Sequence, residues 1–118
     1  MPRASLVLAA LLLASVANAQ SRTPTIDQLI SLKRAGSPAI SPDGQFVAYT
    51  VRETNWDDNR YHTEIWLADI KTGALRQLTS HAKKSSTSPA WSPDGTTLAF
   101  ATDRDEKRQI YLIDPRGG

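Results

Sequence analysis

The chain has 118 residues, of which 40% are hydrophobic and 22% charged, the proportions of a folded domain and not of a disordered one. Its 14 Lys and Arg stand against 12 Asp and Glu, too even a balance to imply a nucleic-acid partner. The complete absence of cysteine excludes a disulfide framework and a thiolate metal centre, so stability must come from packing.

Residues 1–19 read as a secretory signal: Arg3 supplies the positive start, residues 6–16 are almost wholly apolar, and Ala17-Asn18-Ala19 precedes Gln20 as an A-x-A cleavage site. The apolar run is shorter than the ~20 residues that cross a bilayer. The expected product is therefore exported, periplasmic or extracellular, and not membrane-spanning after signal cleavage. Residues 20–36 form a lead-in and a short helix. Thr25-Ile26-Asp27-Gln28 fits a capping box, Ile26, Leu29, Ile30 and Lys33 follow at helical spacing, and Gly36 with Pro38 supplies a stop, which predicts a helix over 25–35.

From Ser37 the period changes to short apolar runs bounded by Pro, Asp and Gly, an all-β pattern. Ser37-Pro38-Ala39-Ile40-Ser41-Pro42-Asp43-Gly44 returns 51 residues later as Ser88-Pro89-Ala90-Trp91-Ser92-Pro93-Asp94-Gly95. A period of this length marks a propeller, solenoid or other array, whose units cannot bury their apolar faces alone. The first unit, residues 37–80, offers strands at 38–41, 46–52, 64–69 and 75–79. The second, residues 81–118, offers strands at 90–92, 97–102 and 109–114 and is truncated before a fourth.

In each Ser-Pro-Asp-Gly, proline presets φ near about −65° and glycine takes the positive φ that reverses the chain. Ser41, Pro42, Asp43 and Gly44, and again Ser92, Pro93, Asp94 and Gly95, are thus structural turns closing a hairpin, not sites of acid catalysis. The third strands align at an offset of 45, so a six-residue difference lies between strands two and three. The longer loop of the first unit, 53–62, holds Trp56, Asp57 and Asp58. Insertions in repeats collect on one face, often the binding face, so these three are the contact-loop candidates.

Both units resemble β-propeller blades of the kind found in the Tol-Pal protein TolB and in serine peptidases of the prolyl oligopeptidase family. The resemblance is carried by Ala-Trp-Ser-Pro-Asp-Gly at 90–95, Leu-Ala-Phe at 98–100, Ile-Tyr-Leu-Ile-Asp at 110–114 and Gln-Leu-Thr at 77–79. It implies an incomplete β-propeller, one full four-stranded blade plus three strands of a second, preceded by a short helix. TolB-like proteins place an α/β domain before the propeller, whereas here the first blade begins about 17 residues after the expected cleavage site. The opening is similar to exported acylaminoacyl-peptidase and dipeptidyl-peptidase relatives. In those the propeller restricts peptide access to a C-terminal α/β-hydrolase domain carrying Ser, Asp and His. No G-x-S-x-G elbow occurs in this sequence, so no catalytic residue is carried over and no cofactor is implied. The partners implied are the remaining blades, the hydrolase domain and peptides. The alternative is a TolB-like binding or assembly propeller without enzymatic activity, and a self-contained two-blade module would need oligomerisation to cover its edges.

Other residues carry less. His62 and His81 lack ligand spacing and are expected on the surface or in turns; Asp57-Asp58-Asn59 lacks the alternation and distal glutamate of a calcium loop. Lys83-Lys84 and residues 104–108 are expected in solvated loops. Trp91, Phe100 and Tyr111, on successive strands, are expected to pack between blades.

Overall fold

The computed structural model describes residues 23–117, so the signal expected over 1–19 lies outside the described residues. Thr25 caps helix α1 (Ile26–Ile30) as the motif predicts: its Oγ1 accepts from Gln28 N at 3.2 Å while Gln28 Oε1 accepts from Thr25 N at 3.0 Å. The helix is shorter than expected, because Arg34, Ala35 and Gly36 pair with Arg52, Val51 and Thr50 and are committed to a strand. A five-residue helix with no buried residue cannot compete with a ladder of hydrogen bonds.

Two antiparallel sheets follow. The first has the order β1 (Arg34–Ile40), β2 (Phe46–Asn55), β3 (Arg60–Asp69) and β4 (Leu75–Gln77). The second has β5 (Ser86–Trp91), β6 (Leu98–Thr102) and β7 (Gln109–Ile113). The all-β class and the division into four strands and three agree with the sequence. The six extra residues differ from expectation: they are not a loose loop but added rungs of β2 and β3, which pair without interruption to Asn55↔Arg60.

The first half of the repeated motif holds an unforeseen device. Ser37 and Ser88 adopt positive φ, 46° and 57°, and the pairing register slips between Gly36 and Ala39 and between Thr87 and Ala90. Each is a β-bulge that takes the following proline, which has no N–H, out of the ladder.

The packing of the sheets explains the repeat. One face of the first sheet, its front, carries Ala48, Thr50, Ile65 and Leu67, all buried. It packs against Leu98, Phe100, Trp91, Tyr111 and Ile113 on the back of the second sheet. Shifting by the repeat, the front of the second sheet carries Ala99, Ala101, Ile110 and Leu112. On the third strands the same positions meet different environments, Ile65 and Leu67 being 0% and 6% exposed and Ile110 and Leu112 both 70%, while Ala101 stays buried like its counterpart Thr50. The units stack front to back, a heterologous contact that leaves one face open at each end.

Candidate functional site

The Ser-Pro-Asp-Gly turns are built alike. Gly44 N donates to Ser41 O at 2.9 Å, and Gly95 N to Ser92 O at 2.9 Å. Both glycines sit at positive φ, 73° and 74°, where a side chain is strained. The Ser41 hydroxyl donates to Asp43 Oδ1 at 2.6 Å and accepts from Phe46 N at 3.0 Å; Ser92 repeats this with Asp94 at 2.6 Å and Thr97 N at 3.0 Å.

These donors hold the carboxylates ionised. Asp43 is lowered by the Ser41 hydroxyl first and then by the Gln45 amide, and Asp94 falls from 3.8 to about 2 through Ser92, then the amide and hydroxyl of Thr96. A group so acidic supplies no proton at neutral pH, which suits a turn and not an acid catalyst. Because the folded value of Asp94 lies below its ordinary one, its contribution to the turn is complete above about pH 4 and fades as pH falls through about 2. An NMR titration of the Asp94 carboxyl should give a midpoint near 2; a midpoint at 3.8 or above would contradict this turn geometry.

On the opposite, hairpin side, a cleft of about 620 Å³ is lined by Glu53, Trp56, Asp57, His62, Glu64 and His81 among others. Its floor is the Glu64 carboxylate, in a side chain 7% exposed. Oε1 accepts from His62 Nε2 at 2.8 Å and from His81 N at 2.9 Å, and Oε2 accepts from the Thr79 hydroxyl. That hydroxyl in turn accepts from Ile65 N at 2.9 Å. His81 Nδ1 accepts from Lys83 N and Lys84 N at 3.2 and 3.1 Å, which places its proton on Nε2.

Two expectations need correction here. The His62 side chain is 13% exposed and lies within β3, not on an open surface, because Glu64 two residues on draws it into the floor. Arg104, expected in a solvated loop, lays its guanidinium over Phe100 and Tyr111 at 5.4 and 5.3 Å and donates to Ser86 Oγ at 3.1 Å. Cation–π stacking and a hydroxyl partner hold it against the second sheet.

The candidates of the longer hairpin separate. Trp56 is 54% exposed at the cleft rim, and its indole N–H donates to Ser31 Oγ at 3.3 Å, touching the end of α1. Asp57 lines the same cleft. Asp58 does not: it pairs with Arg60 at 3.5 Å beside Lys83 and Lys84. Trp91, Phe100 and Tyr111 pack between the sheets as expected, with Phe100 and Tyr111 stacked at 6.1 Å.

Among the described residues no serine hydroxyl hydrogen-bonds a histidine ring, and no group of three or more His, Asp or Glu is placed to hold a metal. The Glu64 oxygens are already engaged by three donors.

The TolB beta propeller domain matches residues 16–118. The chain belongs to this family. Among curated members, it is 38% identical over 95 residues to the uncharacterized peptidase YuxL of Bacillus subtilis (strain 168), covering 80% of this chain and 14% of that protein. It is 29% identical over 98 residues to dipeptidyl-peptidase 5 of Porphyromonas endodontalis, covering 83% of this chain and 14% of that one. A TolB homolog of Chlorobaculum tepidum is 31% identical over 77 residues, 65% of this chain and 16% of that protein.

Solved structures give the same fold. The acylaminoacyl peptidase of Pyrococcus horikoshii superposes with a TM-score of 0.61 at 22% identity, over 73% of this chain and 13% of that one. The propeller domain of the trilobed protease of Pyrococcus furiosus superposes at 0.57 and 28% identity, over 71% and 25%. The chain therefore spans about one seventh of the peptidases it matches in sequence. It is a propeller segment of the kind carried by peptidase-like proteins.

Proposed function

We propose that this chain is the N-terminal propeller segment of an exported serine peptidase of the prolyl oligopeptidase family, gating peptide access to a C-terminal α/β-hydrolase domain. The observation that supports it most is that this propeller segment aligns with proteins named as peptidases, over 80% and 83% of its own length. Trp56 and Asp57 then act as contact residues on the hairpin face, where an exposed indole and a carboxylate line an open cleft. Residues 1–19 act as the export signal. Among the described residues no helix is long and apolar enough to cross a membrane.

A second reading, a binding propeller without enzymatic activity, draws support from the TolB homolog. Labelling with a fluorophosphonate, which reacts with activated serines, separates the two. The product of the whole reading frame should label and hydrolyse acylated or dipeptide reporters, while residues 20–118 alone should do neither. An unlabelled, inert whole product favours the binding propeller, and hydrolysis by residues 20–118 that is lost on changing one of their own side chains sinks the proposal.

A further inference from the structure

Arg34 and Arg52 stand directly opposite each other where β1 pairs with β2, so both side chains leave the sheet on the same face. Like charges so placed destabilise a strand pair unless an anion answers them. The chain supplies none. Among the described residues neither guanidinium pairs with a carboxylate or donates a hydrogen bond, and residues 1–22 contain no Asp or Glu. Glu53, next to Arg52, lines the other cleft and is engaged by Lys33 at 3.1 Å. Arg52 is oriented instead by Tyr61, with its guanidinium carbon 4.2 Å from the ring centroid, a stack that uses none of its N–H groups.

The two arginines and Tyr61 line a cavity of about 270 Å³ whose apolar side is Ile26, Leu29 and Leu32. The helix end is held there by the Thr54 hydroxyl, which donates to Ile30 O, yet these three side chains stay 74%, 48% and 58% exposed. No acidic residue lines the cavity. We infer that it binds the C-terminal residue of a peptide, with the carboxylate on the guanidiniums of Arg34 and Arg52 and an apolar side chain against α1. A guanidinium matches a carboxylate through two parallel N–H···O bonds, and the ligand's charge relieves the repulsion between the arginines. The volume lies just below the roughly 300–1,000 Å³ of small-molecule sites, which suits one terminal residue and not a length of chain. The inference rests on the peptidase reading and adds which end of the peptide the segment holds.

The test uses the product of the whole reading frame, treated with the fluorophosphonate so that any activated serine is blocked. By calorimetry, acetyl-Ala-Leu should bind at least about tenfold more tightly than acetyl-Ala-Leu-amide, the margin of a charge-assisted pair. Arg34→Gln and Arg52→Gln should each remove most of that margin, and acetyl-Ala-Gly should bind at least about fivefold more weakly than acetyl-Ala-Leu. The ligand-free Arg34→Gln protein should unfold at the same temperature or higher, because a repulsion has been removed. Equal binding of acid and amide, no binding of either, or a margin that survives both substitutions overturns the inference. A lowered unfolding temperature in Arg34→Gln also overturns it, by assigning the pair to the fold, and equal binding of the glycine peptide overturns the apolar side of the site. The peptidase reading is judged apart from this, by whether the untreated product labels and hydrolyses.

Discussion

Replacing Glu64 with alanine is expected to cost about 3 kcal/mol of folding stability, measured by urea unfolding at fixed chain concentration. The carboxylate is buried and answers three donors, from His62, Thr79 and His81. Removing it leaves all three facing an emptied site, and an unpaired buried donor is costly where an unmade exposed one is not. The effect should be more than local. Thr79 and His81 lie in the segment that joins the sheets, and the same segment is held by Arg60 donating to Lys83 O and by Thr63 N donating to Ser85 Oγ at 3.0 Å. Glu64 thus fixes where the second unit begins relative to the hairpin. Glu53→Ala serves as the control. Its partner Lys33 lies 3.1 Å away, but the two side chains are 46% and 70% exposed, so the change should stay within about 0.5 kcal/mol. Equal costs for the two substitutions would show that the Glu64 floor contributes no more than a surface pair.

Ile65→Ala should cost about 3 kcal/mol for a different reason. The side chain is fully buried, in one cluster with Ala48, Leu67, Leu98 and Phe100 drawn from both sheets. Truncation removes three carbons from water-excluded contact and leaves a cavity that rigid strands on either side cannot close. Since the cluster is the joint between the units, the substitution weakens their stacking as well as the first sheet.

Much of this was legible because it is encoded locally. Turn chemistry at 41–44 and 92–95 needs only four residues, and the alternation in Gln109-Ile110-Tyr111-Leu112-Ile113 names both faces of a strand. What escaped reading depends on distant partners. The run after Thr25 has helical spacing, but Arg34 to Gly36 is claimed by residues 50–52 of another strand. Ser37 precedes proline, which normally favours extended backbone, and its left-handed φ is imposed by the bulge. Glu64 did leave a signal: a carboxylate at a strand position opposite Val51, where an apolar residue would be expected. Its partners Thr79 and His81 lie 15 and 17 residues on, beyond the reach of any local pattern. Arg104 is similar, since composition says solvated charge and only the fold supplies the two rings beneath it.

Front-to-back stacking is tested most directly by comparing one substitution at equivalent positions of the two repeats, Ile65→Ala and Ile110→Ala, in this chain. Ile65 is 0% exposed and Ile110 70%, so the first should cost about 3 kcal/mol and the second no more than about 0.5 kcal/mol. Comparable losses at both positions would mean that the front of the second sheet is already covered, and would contradict the open-ended stack.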